Sequence, residues 1–175
     1  MIAVTGGSTM AQVAEHMTSS TSMKGTWFVP ARGGLGESLE FQANTIASTM
    51  AKRTGAKYRL LHVPDHLGEE AYQSLIGDPT IFEVIEVIRA ARIVVHGIGD
   101  AMVMARRRKV DQATIESLIE EGAHAEAFGY YFDREGQVIH KMPTVGMRLE
   151  DISSKDLVIA SPAEKAKGKR SLPCF

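Results

Sequence analysis

The sequence predicts an α/β fold with an open, mostly parallel sheet that is flanked by helices. Short runs rich in Val, Ile, Leu and aromatic residues alternate with segments in which apolar residues recur at helical spacing. Most of the short runs also lead into a glycine-rich loop. Alternating strands and helices are typical of parallel sheets, in which ligands bind at the carboxyl ends of the strands.

The first strand and helix are predicted by IAVTGGSTMA at residues 2–11. The run IAV is typical of a buried strand, Gly6 and Gly7 of a tight turn, and Ser8 or Thr9 of a helix N-cap. Such a turn directs free backbone N–H groups and the positive end of the helix dipole at one spot, which favours a phosphate. An ordinary strand-to-helix turn that binds nothing is the alternative interpretation.

The same patterns predict the rest of the fold. Strands are expected at 26–29, 58–63, 93–95, 123–128 and 156–160, and a β-hairpin at 131–140 that turns at Glu135-Gly136. Helices are expected at 8–17, from Leu39 to a stop at Gly55, twice within 69–91 with a break at 77–79, and at 100–108 and 111–121. The loops expected at the ligand-binding edge are TGGST (5–9), PARGGLGE (30–37), HGIGD (96–100) and the segment around Glu126.

Length and composition indicate one soluble domain. The chain has 175 residues, of which 44% are hydrophobic, enough for a sizeable core. A net charge of −1 and a pI near 6.6 give no overall attraction to nucleic acid or to an anionic membrane. Cys174 is the only cysteine, and no apolar run reaches the roughly 18 to 20 residues of a membrane span. We therefore expect a cytoplasmic protein.

Two positions after the second strand are candidate ligand contacts. Arg32 lies between Pro30 and the Gly33-Gly34 pair, so its guanidinium is held on a short turn where it can bind a phosphate through two hydrogen bonds. Gln42 lies off the apolar stripe of the next helix and can reach sugar hydroxyls. The alternative interpretations are a surface arginine in a flexible loop and a solvated glutamine.

Two further features carry charge. A basic run at 106–109 ends a predicted helix, where such runs are usually solvated, and one of its arginines reaching a ligand is the less common outcome. Glu126 lies in the apolar strand AEAF, so its carboxylate must face either a partner arginine or an open cleft with a sugar hydroxyl. The sequence has no HExxH, no zinc spacing, no Walker A lysine and no G-x-S-x-G motif, which favours a binding domain over an enzyme.

Several segments in a fixed order carry a family resemblance: TGGST, VPARGGLGE with QANTIA, YRLLHVP, VVHGIGDA, EAFGYYF, HKMPTVGM and DLVIA. They resemble the effector-binding domains of SorC-type sugar-binding transcriptional regulators, in particular those that control central glycolytic genes. The resemblance covers roughly residues 2–160. It implies a fold like that of ribose-5-phosphate isomerase and glucosamine-6-phosphate deaminase, without catalysis and without a cofactor.

The resemblance also implies a ligand, a site and partners. The expected effector is a phosphorylated glycolytic sugar such as fructose 1,6-bisphosphate. The family acts on DNA as a dimer or tetramer through an N-terminal helix-turn-helix domain, and the sugar phosphate weakens that assembly. The residues that line the ligand cleft by resemblance are Gly6, Gly7, Ser8, Thr9, Arg32, Gln42, Arg107 and Glu126.

The resemblance divides the chain into an effector-binding domain at 1–160 and a polar tail at 161–175 that departs from the family. We expect the DNA-binding domain and the closing part of the effector domain to be absent from this chain. Two other functions stay open. One is an isomerase or deaminase on the same fold with Glu126 or Asp100 as the general base. The other is an oligomerisation module with a vestigial cleft.

Overall fold

The structure is a computed structural model that describes residues 1–19, 22–35, 38–65 and 67–162. In this part of the chain the strands are β1 (Ile2–Val4), β2 (Trp27–Pro30), β3 (Lys57–Tyr58), β4 (Ile93–Asp100), β5 (Ala125–Ala127), β6 (Tyr130–Phe132), β7 (Val138–Lys141) and β8 (Leu157–Pro162). The helices are α1 (Ser8–His16), α2 (Ala43–Thr54), α3 (Glu69–Ile76), α4 (Pro79–Arg89), α5 (Ala101–Arg107), α6 (Gln112–Glu120) and α7 (Leu149–Ile152), with a 3-10 turn at Leu39–Phe41. Among these helices, none has the length and apolar character of a membrane span.

The sheet confirms the predicted α/β class. Its parallel part has the order β3-β2-β1-β4, with β8 also parallel to β4. From the end of β4 an antiparallel part continues through β5, β6 and β7. The strand β4 therefore belongs to both parts, and the sheet is mostly but not wholly parallel, as expected.

Side chains of the parallel strands alternate between two faces, as the period of a strand requires. Ala3, Val29 and Val94 are aligned across β1, β2 and β4, and they pack in the core that also contains apolar residues of α4. The neighbouring residues Val4 and Phe28 pack in a second core, against α1 and α2. The helices thus cover both faces of the sheet.

Two predicted elements differ from the structure near the ligand-binding edge. HGIGD was expected to close the fourth strand as a loop, but β4 continues to Asp100 because β8 pairs with it as far as Ile98 and β5 pairs with its last two residues. The strand expected at 58–63 is only two residues long, at Lys57–Tyr58. The Asn44 amide binds both the N–H and the C=O of Leu61, at 3.0 and 2.9 Å, so these groups do not join the sheet.

The helix starts differ as well. Neither Ser8 nor Thr9 is the N-cap of α1; the cap is Gly7, with φ 114° and no capping side chain. The second helix begins at Ala43 rather than at Leu39, because a 3-10 turn comes first and leaves the Leu39 side chain exposed. Gln42 is consequently the N-cap of α2 and not a residue within it.

The last strand was expected to be buried, but β8 is partly exposed. Leu157 and Ile159 are each about half exposed, because β8 pairs with β4 alone among the described strands. The strand also extends two residues beyond the expected end at 160, so Ser161 and Pro162 belong to the sheet. The rest of the predicted polar tail, 163–175, lies outside the described residues.

The end of α5 offers a stability prediction. Lys109, just after the helix, has φ 53°, while the N–H of Val110 donates to the C=O of Ala105 and the N–H of Lys109 to that of Arg106. A side chain in this left-handed conformation costs about 1 kcal/mol relative to glycine. Lys109→Gly should therefore raise the free energy of unfolding by about 1 kcal/mol in urea denaturation. Lys52→Gly, inside α2, should lower it by a similar amount, and equal changes at the two positions would contradict this explanation.

Candidate functional site

A cavity lies at the carboxyl ends of the parallel strands, where the sequence predicted ligand binding. Its walls come from the β1–α1 turn, the end of β2, the start of α2, the end of β4, the end of α5 and the β5–β6 hairpin. All eight residues predicted from the resemblance line this cavity: Gly6, Gly7, Ser8, Thr9, Arg32, Gln42, Arg107 and Glu126. Their contact with a ligand stays a prediction, but the structure brings them together.

One wall of the cavity is the N-terminus of α1. The first hydrogen bond of the helix runs from the N–H of Ala11 to the C=O of Gly7, at 3.0 Å. The N–H groups of Ser8, Thr9 and Met10 therefore come before the helical ladder, and no side chain caps them. These donors and the helix dipole favour an anion in the cavity.

The N-terminus of α2 lies next to that of α1. Gly7 donates its N–H to the C=O of Phe41 at 2.8 Å, so the β1–α1 turn is bound to the 3-10 turn that precedes α2. A Cβ on Gly6 would lie 2.6 Å from that carbonyl oxygen and 3.3 Å from the nitrogen of Ala43, so only glycine fits here. The sequence pattern predicted a helix here but not that it begins beside α1, where its dipole adds to the positive potential of the cavity.

Arg32 was predicted to bind phosphate, and the structure places it in a buried ion pair. The residue is 7% exposed, so it is not a surface arginine in a flexible loop. Its Nε and Nη2 donate to Asp65 Oδ1 and Oδ2 at 2.9 and 2.6 Å, as a two-bond fork. Arg32 therefore lines the cavity with a guanidinium that is already partly neutralised.

The Glu126 carboxylate is paired with arginine side chains, which was one of the two interpretations of this residue. Its Oε1 accepts hydrogen bonds from the N–H of Gly129 at 2.6 Å and from Nη2 of Arg108 at 2.9 Å, and Nη1 of Arg32 lies 3.6 Å away. Its Oε2 accepts no hydrogen bond from the described residues. One oxygen of the carboxylate is thus bound within the protein. The other oxygen is the candidate acceptor for a sugar hydroxyl, which was the second interpretation.

Sequence reasoning did not single out Arg108 from the basic run, and it did not predict Asp65 at this site. The side chain of Arg108 is 2% exposed and bridges the carboxylates of Asp65 and Glu126. Burial would lower the pKa of Arg108, but the charges of Glu126 and Asp65 outweigh burial and raise it. A signal was present: Arg108, the C-cap of α5, follows Ala101 and Ala105 at helical spacing, which places it on the same side as these buried alanines.

Arg107 and Gln42 line the cavity from two different helices, α5 and the start of α2. Arg107 lies in the last turn of α5 and is exposed, as expected for most of the basic run. Gln42 caps α2 and lines the cavity through its position between the 3-10 turn and the helix. Gln42 is half-buried and Arg107 is exposed, in contrast to the buried side chains of Arg32 and Arg108.

An aromatic wall completes the site. The Phe128 ring lines the cavity, and the imidazole of His96 packs against it with 5.0 Å between ring centroids. Burial lowers the pKa of His96, although its hydrogen bond with the Gly97 carbonyl and the nearby Glu126 oppose the shift. His96 is therefore neutral at physiological pH and adds no positive charge next to the cavity.

Asp100, the second candidate for a general base, serves a structural role in this part of the chain. Its Oδ1 accepts the N–H of Val103 at 3.0 Å and caps α5. It does not line the cavity. Among the described residues no group of three or more His, Cys, Asp or Glu is arranged to hold a metal ion.

Comparison with known proteins agrees with this geometry. The family model Sugar-bind, described as "Putative sugar-binding domain", matches residues 1–170. The chain is 52% identical over 168 residues to the Central glycolytic genes regulator of Priestia megaterium and 44% identical over 169 residues to that of Bacillus subtilis. These matches cover 96% and 97% of this chain but 49% and 50% of the relatives, so the chain spans about half the length of these curated relatives.

A solved structure gives the same result. The crystal structure of a SorC family transcriptional regulator from Enterococcus faecalis superimposes with a TM-score of 0.83 at 47% sequence identity, over 92% of this chain and 66% of that one. The relatives named here are transcriptional regulators and not enzymes.

Proposed function

This chain belongs to the Sugar-bind family of domains in SorC-type regulators, and from this premise we propose that it senses a phosphorylated sugar and controls glycolytic genes. Membership supports a sugar-sensing regulatory domain. The finer proposal, a sugar phosphate such as fructose 1,6-bisphosphate, rests on one observation. The uncapped N-terminus of α1 directs the N–H groups of Ser8, Thr9 and Met10 at the cavity.

The charges around the cavity fit a sugar phosphate better than a neutral sugar. Arg32 and Arg108 are balanced by Asp65 and Glu126, so these four side chains sum to zero. The dipoles of α1 and α2, whose N-termini face the cavity, then give it a net positive potential. We propose that one phosphate binds at the start of α1 and that Arg107 contacts the ligand from the end of α5.

The sugar itself needs hydrogen-bond acceptors and an apolar surface. The proposed acceptor is Oε2 of Glu126, which no described residue binds, with Gln42 as a second polar contact. Phe128 supplies the apolar wall. Hydrogen-bond donors for a phosphate, an acceptor for a sugar hydroxyl and an aromatic face together select for a phosphorylated sugar.

Isothermal titration calorimetry tests the proposal. Fructose 1,6-bisphosphate should give a saturable heat, while fructose at the same concentration should give none. Absence of saturable heat at millimolar bisphosphate would favour the oligomerisation module with a vestigial cleft. Measurable conversion of fructose or glucosamine phosphates in a turnover assay would favour the enzyme.

Arg107→Ala should weaken bisphosphate binding roughly 10- to 150-fold, the effect of one charge-assisted hydrogen bond of about 1.5 to 3 kcal/mol. The side chain is exposed, so the melting temperature should stay within a few degrees of the wild type. Arg106→Ala is the matched control, because Arg106 is also exposed in the same helical turn but does not line the cavity. Equal affinities of the two variants would remove Arg107 from the site.

We further propose how the signal is transmitted in the full-length protein. A ligand that contacts α1, α5 and β5 shifts a dimer–tetramer equilibrium if it binds one state more tightly than the other. DNA binding is assigned to a helix-turn-helix domain separate from the domain described here, and the regulator acts in the cytoplasm. Sedimentation of the full-length protein on operator DNA, with and without the bisphosphate, tests this proposal, since an unchanged assembly would contradict it.

A further inference from the structure

Two atoms of the ion-pair network form no hydrogen bond with the described residues, and both belong to residues that line the cavity. Arg108 Nε is the one buried side-chain nitrogen or oxygen of the described residues that has no hydrogen-bond partner. Glu126 Oε2 accepts no hydrogen bond from these residues, although the Glu126 side chain is only 5% exposed. An unsatisfied buried donor destabilises a fold, so stability alone does not account for an arginine at this position.

The geometry of Arg108 decides which oxygen of Glu126 faces the cavity. Its Nη1 donates to Asp65 Oδ2, and its Nη2 donates to Glu126 Oε1 at 2.9 Å. The N–H of Gly129 donates to the same Oε1 at 2.6 Å. Because two donors hold Oε1 from different directions, the carboxylate keeps one orientation and Oε2 is the oxygen left for a ligand.

Asp65 completes this arrangement. It is 1% exposed and receives hydrogen bonds from both Arg32 and Arg108, so the two guanidinium groups share one anchor. Arg108 thereby has no freedom to follow a ligand, in contrast to Arg107 one residue earlier. A residue held in this way can orient a neighbour but is poorly placed to bind a mobile phosphate itself.

We propose, on the basis of the proposed function, that Arg108 is a positioning residue of the sensor: it holds Glu126 so that Oε2 accepts a hydrogen bond from a hydroxyl of the sugar. Its effect on affinity passes through Glu126. It therefore concerns the hydroxyl-bearing part of the ligand and not the phosphate bound at α1.

A double-mutant cycle tests this coupling. Titrations with fructose 1,6-bisphosphate compare the wild type, Arg108→Lys, Glu126→Gln and the double variant, with Arg106→Lys as the control on the same helix. Each single variant should bind about tenfold more weakly, and the double variant also about tenfold, because both changes remove the same hydrogen bond. Titration with inorganic phosphate, which has no sugar hydroxyl, should give the same affinity for the wild type and Arg108→Lys.

Three results would overturn the inference. A double variant weakened about 100-fold would mean that Arg108 contacts the ligand independently of Glu126. Wild-type affinity in Arg108→Lys would mean that it has no role in binding. Parallel losses for bisphosphate and inorganic phosphate would mean that the whole cavity has been disturbed. If Arg108→Lys does not fold, Arg108→Gln, which keeps an amide donor, replaces it in the cycle. If the wild type does not bind the bisphosphate, the proposed function itself is contradicted. This result differs from an additive double-mutant cycle, which contradicts only the role of Arg108.

Discussion

Replacing Asp65 by alanine is expected to lower the free energy of unfolding by about 3 to 5 kcal/mol, the range for breaking a buried ion pair by removing one partner. Asp65 is 1% exposed and its carboxylate binds both Arg32 and Arg108. Without it, two buried guanidinium groups share the single carboxylate of Glu126, and repulsion adds to lost hydrogen bonds. Urea denaturation at neutral pH measures the change.

The matched control is an aspartate in an exposed ion pair. Asp156 contacts Arg92, and their side chains are 51% and 76% exposed. Asp156→Ala should change the free energy of unfolding by less than about 1 kcal/mol, since solvent screens exposed pairs. If Asp65→Ala costs no more than this control, the buried network does not stabilise the fold in the way described here.

The second large effect is expected at Gly6. A Cβ at this position would lie 2.6 Å from the carbonyl oxygen of Phe41, so in Gly6→Ala the 3-10 turn must move away and the bond from Gly7 to Phe41 is disturbed. The N–H groups of α1 would then no longer converge on one anion. Loss of two charge-assisted hydrogen bonds corresponds to about a 100-fold or greater loss of affinity for fructose 1,6-bisphosphate.

Gly25→Ala is the control for this substitution, because no heavy atom of the described residues beyond its chain neighbours lies within 4 Å of a Cβ built there. Its affinity should match that of the wild type in the same calorimetric titration. Circular dichroism should show that both variants are folded. Equal affinities of Gly6→Ala and Gly25→Ala would show that the β1–α1 turn is not the phosphate site.

Most of the fold could be predicted because strand and helix periodicities in this chain are clear. The alternation of Ala3 and Val4 between two cores follows directly from a strand sandwiched by helices. The errors arose where tertiary pairing overrides local pattern. The glycines of HGIGD indicate a turn in the sequence, but pairing with β8 and β5 keeps them in β4. A side chain distant in sequence, Asn44, binds both backbone groups of Leu61 and keeps them out of the sheet.

The candidate site was predictable in its location but not in its electrostatics. The positions of Arg32 and Glu126 at the cavity followed from the resemblance and from the rule for strand ends. Their mutual neutralisation did not, because Asp65 comes from a loop without a motif and Arg108 belongs to a basic run that is otherwise exposed. Ion-pair partners far apart in the chain leave no local periodic signal.

The double membership of β4 has a consequence for internal motion. Because this one strand joins the parallel and antiparallel parts of the sheet, the cavity spans their boundary, with α1 on one side and Glu126 on the other. A ligand held by both sides restricts local opening along that boundary. Amide hydrogen exchange at Gly97, Ile98 and Gly99 should therefore slow when the cavity is filled, even though the ligand is held mainly by other segments.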